Sequence, residues 1–177
     1  MTKHIEIRIC GLGGQGVVLA GQLLGRAAVY DGLNVVQTQS YGAEARGSSA
    51  KSEVIISDTK IGFPLVRHCD VLVAMSQQSL DLSLKDLKID GMLILDEGSV
   101  ESVPEGLKGK VFHIAATKTA EDLFKSKLYA NIIMLGAVAK ITKLVTANSM
   151  EKAIVEGLPE NAREVNVNAF RKGLKLA

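Results

Sequence analysis

The chain has 177 residues, 47% of them hydrophobic, with a formal net charge of +2. That size suits one domain with a single sizeable core. A charge so near neutral, with no Trp, three Tyr and four Phe, argues against a basic or aromatic-lined nucleic-acid surface. Met1-Thr2-Lys3-His4 lacks the apolar core of a signal peptide. The longest apolar stretch, residues 130–145, is shorter than the ~20 residues a bilayer span needs, and it contains Lys140 and Lys143. A cytoplasmic protein without membrane contact is expected.

In chain order, residues 4–10 alternate Ile5, Ile7 and Ile9 and read as a first strand. Residues 15–30 follow with Val18, Leu19, Leu23, Leu24, Ala27 and Ala28 at helical spacing, and Asp31-Gly32 closes that helix, glycine suiting a left-handed turn. Residues 34–40 form a second strand; a small polar connection leads to a third at about 50–56. "DVLVAM" (70–75) and "GMLILD" (91–96) are short buried strands of the parallel type, with a helix expected from Ser76 through "SQQSLDLSLKDLK" between them. Residues 110–115 give a further strand. A helix start at about Thr119, a capping-box-like pair Asn148 and Glu151, and helical patterning to about Leu176 make the last third mostly helical. Strands alternating with helices imply βαβ units. The expected fold class is α/β: a Rossmann-like three-layer αβα sandwich with a mainly parallel or mixed sheet, in a single domain over 1–177.

In such a fold, ligands gather outside the C-terminal ends of the strands. There lies Gly11-Leu12-Gly13-Gly14-Gln15-Gly16, with Gly11, Gly13 and Gly16 at the spacing G-x-G-x-x-G. One glycine permits the tight turn, one lets an anion approach the backbone, and one lets helix and strand pack closely. The free N–H groups and dipole of the following helix favour a phosphate; a glycine turn used only for packing is the alternative. NAD needs an acidic residue at the end of the second strand to hold the ribose. That strand reads Val35-Val36-Gln37-Thr38-Gln39-Ser40, without an acid or a base, and Asp31 precedes it. The dinucleotide reading therefore lacks its discriminating feature.

The next segment, Ser40-Tyr41-Gly42-Ala43-Glu44-Ala45-Arg46-Gly47-Ser48-Ser49, should lie beside the glycine loop. Arg46 can grip a phosphate bidentately, Ser48 and Ser49 add hydroxyl donors, and Gly42 and Gly47 allow close backbone approach. Lys51 either adds charge or points to solvent, and an irregular surface connection is the alternative for the whole segment. Cys10 and Cys69 match no zinc or iron–sulfur spacing and read as buried reduced thiols. His4, His68 and His113 show no triad spacing. Met75, Met92 and Met134 read as core, and Asn131 either caps the apolar helix or faces a partner subunit.

Gly13-Gly14-Gln15-Gly16 combined with "SYGAEARGSSAKSEVIIS" (40–57) resembles the gamma subunit of 2-oxoacid:ferredoxin oxidoreductases. "CDVLVAMSQQSLD" from Cys69, "ANIIMLGAVAKITKLV" from Ala130 and "NVNAFRKG" from Asn166 extend the resemblance over essentially the whole chain. It is most similar to the 2-oxoglutarate form; indolepyruvate and branched-chain enzymes contain a similar subunit, and pyruvate enzymes a related domain. The resemblance implies oxidative decarboxylation of a 2-oxoacid with coenzyme A, giving an acyl-CoA (here succinyl-CoA), carbon dioxide and reduced ferredoxin. It also implies thiamine diphosphate with Mg on alpha and beta partner chains, and iron–sulfur clusters on the beta chain or a ferredoxin-like delta chain. This chain would then be one component of a hetero-oligomer, inactive alone, with no catalytic or metal-ligating residue of its own. Its direct ligand would be coenzyme A, at Gly13, Gly14, Gln15, Gly16, Tyr41, Arg46, Gly47, Ser48 and Ser49. Tyr41 packing against partner chains and Glu44 pairing with Arg46 stay open. An NAD(P)-binding dehydrogenase domain and a purely structural assembly subunit are the competing readings.

Overall fold

A computed structural model describes residues 3–42 and 48–177; Met1, Thr2 and residues 43–47 lie outside the described residues. Strand β1 (His4–Leu12) leads through the glycine turn into helix α1 (Val17–Tyr30), then β2 (Asn34–Tyr41), β3 (Ser49–Ser57) and β4 (Cys69–Ala74). Helix α2 (Gln77–Ser83), β5 (Leu87–Asp96), β6 (Lys110–Ile114) and helices α3 (Ala116–Phe124), α4 (Ala130–Thr142), α5 (Ala147–Gly157) and α6 (Glu160–Gly173) complete the order. The six strands form one mixed sheet, β2-β3-β1-β4-β5-β6. β1, β4, β5 and β6 run parallel, whereas β3 is antiparallel to both its neighbours. The reversal follows from chain length: residues 42–48 are too few for the crossover that parallel strands need, so β2 and β3 pair as a hairpin.

Alternation along β1 assigns the two faces. Ile7 and Ile9 join a large core with α1 and α4, while Cys10 joins a smaller one with Ile55, Leu72, Leu93, Leu95, Val66 and Leu80. Helix α4 is buried at every position from Ala130 to Ala139, as expected for an apolar helix enclosed by others. Helices α5 and α6 pack against α1 and α4. Glycines let α4 and α6 touch backbone to backbone: a Cβ at Gly136 would stand 2.2 Å from the Phe170 carbonyl oxygen. Among the described residues, the opposite face carries only α2, one 3-10 turn (Leu84–Asp86) and irregular chain. The layers are those expected, but unequal.

A charged network sits on that thinner face. Arg8, 3% exposed, donates from Nε to Glu53 at 2.9 Å and from Nη2 to the Val66 carbonyl at 3.1 Å, and it also pairs with Asp86. Lys51 turns its ammonium to Glu53 at 3.2 Å. Arg8 and Glu53 are register partners across β1 and β3.

Three local expectations change. The helix from Ser76 ends at Ser83, because Leu87 already pairs with Cys69 and lengthens β5 across a bulge. Helix α3 begins at Ala116 rather than Thr119, because the buried Asp96 carboxylate accepts the Thr117 N–H at 3.0 Å. Helix α5 is capped by Thr146, whose hydroxyl accepts the Ser149 N–H, not by the Asn148–Glu151 pair; Glu151 instead pairs with Arg171 at 2.7 Å. Asp31, closing α1, accepts the N–H and hydroxyl of Thr146 at 2.7 and 2.8 Å. Among the described residues, no helix is long and apolar enough to cross a membrane.

Candidate functional site

The glycine turn lies at the C-terminal end of β1, between the β2–β3 hairpin and the end of β4. Gly14 (φ 98°) and Gly16 (φ 70°) occupy the left-handed region that disfavours any side chain. Gln15 N–H closes the turn on the Leu12 carbonyl at 3.1 Å, and Gly13 N–H reaches the Ser48 carbonyl at 2.8 Å. The Gly42 N–H to Ser49 carbonyl bond, 2.8 Å, closes the hairpin base. The described ends of the polar segment, Tyr41, Gly42, Ser48 and Ser49, are thus drawn beside the glycine loop. Arg46, Gly47 and Glu44 lie outside the described residues.

Gln15 turns inward. Its Oε1 accepts the Leu12 N–H at 2.7 Å and its Nε2 donates to the Met75 carbonyl at 2.8 Å, bracing the loop against the end of β4. Gly11 makes room for it, since a Cβ there would fall 2.6 Å from Gln15 Oε1. Asn131 braces the other end. It is 4% exposed, donates from Nδ2 to the Gly16 carbonyl at 3.0 Å, and accepts the Ile132 N–H at 2.9 Å. Asn131 thus makes a contact that the sequence did not point to: it ties its own helix to the glycine loop.

Between the loop, α1 and β2 opens a cleft of about 440 Å³. Gly13, Gly14 and Gly16 form one wall, and Gln39 and Tyr41 the opposite one, with Val18 and Gln22 along α1. Helix α1 has no side-chain cap and no acidic residue in its first turn. The amides of Val17, Val18 and Leu19 have no acceptor among the described residues, as the geometry of a helix start requires. Those amides and the helix dipole give the cleft a positive character without a formal charge. Tyr41 is 62% exposed. Gln22 and Gln39 were not singled out from the sequence; Gln39 was legible, because strand alternation puts it on the same face as Tyr41. Where an NAD site would carry an acid, this wall carries Gln39.

Among the described residues, the two cysteines offer no second centre. Burial pushes the Cys69 thiol up to about 12, against the opposing field of Arg8. It also raises Cys10, whose Sγ donates to the Ser79 carbonyl at 3.5 Å. Both stay protonated, a poor state for a metal ligand. No group of three or more His, Cys, Asp or Glu among the described residues is placed to hold a metal ion.

Comparison with known proteins covers the whole of this architecture. Residues 6–176 match the family model described as pyruvate ferredoxin/flavodoxin oxidoreductase. The chain is 47% identical over 175 residues to the 2-oxoglutarate synthase subunit KorC of Methanocaldococcus jannaschii, covering 97% of this chain and 93% of that one. A keto/oxoacid ferredoxin oxidoreductase gamma subunit from Geobacter sulfurreducens PCA superposes with a TM-score of 0.86 at 40% identity, covering 98% of both chains. A 2-oxoglutarate:ferredoxin oxidoreductase from Magnetococcus marinus, with 2-oxoglutarate, coenzyme A and succinyl-CoA bound, superposes with a TM-score of 0.87 at 25% identity, covering 99% of this chain and 31% of that one. Alike in sequence and in fold from end to end, the chain belongs to the pyruvate ferredoxin/flavodoxin oxidoreductase family and is a subunit of its gamma type.

Proposed function

We propose that this chain is the gamma subunit of a cytoplasmic 2-oxoglutarate:ferredoxin oxidoreductase and holds coenzyme A by its phosphate-bearing head in the glycine-loop cleft. The observation that carries this reading is the cleft itself: open helix-start amides face two uncharged glutamines and an exposed tyrosine, with no carboxylate among the described residues lining it. The relatives support the substrate. The similar M. jannaschii subunit belongs to a 2-oxoglutarate synthase, and the M. marinus enzyme has coenzyme A bound.

In the reaction the oxoacid loses carbon dioxide, its acyl carbon forms a thioester with the coenzyme A thiol, the thiol proton is released, and two electrons pass to ferredoxin. Thiamine diphosphate with Mg and the iron–sulfur clusters, on alpha, beta and delta partner chains, supply the carbanion and electron chemistry. The two protonated cysteines of this chain do not suit a cluster, so no redox step runs through it.

Its own contribution is anchoring. The amides of Gly14, Gly16, Val17 and Val18 donate to phosphate oxygens, Ser48 and Ser49 add hydroxyls, and the Arg46 guanidinium adds a cation. Gly47 lets the backbone approach, Tyr41 offers a ring face to the adenine, and Gln15 holds the loop in shape rather than touching the ligand. With its head fixed, the coenzyme presents its thiol to the acyl group at high effective concentration.

Two variants of the assembled enzyme test this. Arg46→Ala removes the cation, and Gln22→Glu puts a negative charge in the cleft at an exposed position without a hydrogen-bond partner among the described residues. Each is expected to raise the apparent KM for coenzyme A about tenfold, Arg46→Ala through loss of a charge-assisted contact and Gln22→Glu through repulsion of the phosphates, while the KM for 2-oxoglutarate stays put. An unchanged coenzyme A KM in both would leave the chain an assembly subunit. A panel of 2-oxoacids, with 2-oxoglutarate expected to show the highest kcat/KM, tests the substrate.

A further inference from the structure

We infer that Asn131 is a positioning residue for coenzyme A: it fixes the peptide between Gly16 and Val17 so that α1 presents its first amides to the anion. The inference rests on the coenzyme A reading of the cleft.

Most helix starts spend one or two of their amides on a Ser, Thr, Asp or Asn cap. Here the cap position is Gly16, without a side chain, so those amides stay open to a ligand. The drawback is looseness, since glycine at the cap has the widest conformational choice. Gly16 is restrained from outside. Its carbonyl accepts the Ala20 N–H at 3.0 Å and Asn131 Nδ2 at 3.0 Å. In a trans peptide the C=O and N–H point in opposite directions. Holding the Gly16 oxygen toward α4 therefore turns the Val17 N–H away from α4, toward the cleft that both residues line.

Asn131 is itself held rigidly. The Ile132 N–H occupies its Oδ1, which leaves the NH2 group facing Gly16. It is the one polar side chain among ten consecutive buried residues of α4. A polar group in such surroundings is costly unless it is hydrogen-bonded, so its presence calls for a reason. Nothing else fits the contact, because a Cβ at position 16 would stand 2.3 Å from Asn131 Nδ2. Glycine at 16 and asparagine at 131, 115 residues apart, act as one device.

The test uses the assembled oxidoreductase carrying Asn131→Leu or Asn131→Asp. Leucine is near-isosteric and apolar, so α4 keeps its packing while the donor is lost. Aspartate keeps the shape and replaces the donor by an acceptor facing the Gly16 carbonyl. Both variants should raise the KM for coenzyme A about tenfold, with kcat at saturating coenzyme A and the KM for 2-oxoglutarate unchanged. Acidification should then separate them: once protonated, the carboxyl introduced by Asn131→Asp can donate to Gly16, so coenzyme A affinity recovers relative to the unmodified enzyme, whereas the leucine variant shows no recovery. An unchanged coenzyme A KM, a parallel loss of kcat and both KM values, or identical pH profiles for the two variants would overturn the inference. If Gln22→Glu weakens coenzyme A and the Asn131 variants do not, this inference alone falls; if none of them does, the coenzyme A reading falls with it.

Discussion

Two polar regions of the same strands treat their hydrogen-bonding groups in opposite ways. On the α2 face, Arg8 is paired with Glu53 and Asp86 and bonded to the Val66 carbonyl, and Glu53 also receives Lys51. No buried side-chain nitrogen or oxygen among the described residues lacks a partner. At the C-terminal edge, a few residues further along β1, the amides of Val17, Val18 and Leu19 and the side chains of Gln22 and Gln39 have no partner among the described residues. The closed region fixes register, since Arg8 opposite Glu53 stands in line only when β1 and β3 pair as they do. The open region leaves its donors to a ligand. Charge does not tell them apart, because the charged cluster is structural, while the described residues lining the candidate cleft are uncharged.

The largest expected effect comes from breaking the closed region. Arg8→Ala leaves Asp86 without its cation and Glu53 with Lys51 alone, in a largely buried place, and should lower the unfolding free energy by about 3 kcal/mol in denaturant titration. A loss below about 1 kcal/mol would make the network no more important than a surface pair.

Gly16→Ala attacks the open region. The residue would have to hold φ 70° and bring its Cβ to 2.3 Å from Asn131 Nδ2. Coenzyme A affinity should fall about tenfold, with a stability loss of about 1–3 kcal/mol. Gly14→Ala sharpens the contrast, because that position is also strained (φ 98°) but its Cβ would meet nothing within 4 Å. It should weaken binding less than Gly16→Ala in calorimetric titration of the assembled enzyme; equal losses would mean that strain, not the Asn131 contact, governs the loop.

The smallest effect lies away from both regions. Burial works against ionisation of Asp31, but the Ser149 hydroxyl and the N–H and hydroxyl of Thr146 outweigh it and hold the carboxyl below its usual range. A carboxyl depressed in the folded state stabilises above its unfolded pKa, ~3.9, and that contribution is lost as pH falls through the folded value. Asp31→Asn should therefore cost about 1 kcal/mol at neutral pH, with the gap to the unmodified chain closing below about pH 4. A gap that persists in acid would place the effect in packing rather than in charge.

What the sequence discloses is governed by distance along the chain. The glycine turn and the two elements flanking it are local, so their pattern places them correctly. The ends of the polar segment, Tyr41 and Gly42 on one side and Ser48 and Ser49 on the other, could be located because β2 and β3 are joined by too few residues to carry them elsewhere. Gln15 was legible as a member of the loop but not as its brace, because its amide depends on Met75, 60 residues on. The start of α3 depends on Asp96, a cap delivered from another strand, which no local spacing shows. Asn131 could be read as opening the apolar helix, but its contact with Gly16 could be found only once the fold brought α4 against α1.

The central claim is that coenzyme A is held by the amides at the start of α1. Hydrogen–deuterium exchange of the assembled enzyme, with and without coenzyme A, reads those amides directly. The account predicts slower exchange over residues 13–19 when coenzyme A is present, none of it produced by 2-oxoglutarate alone, and no change around Arg8 and Glu53. Unchanged exchange over residues 13–19, with protection appearing elsewhere in the complex, would contradict it.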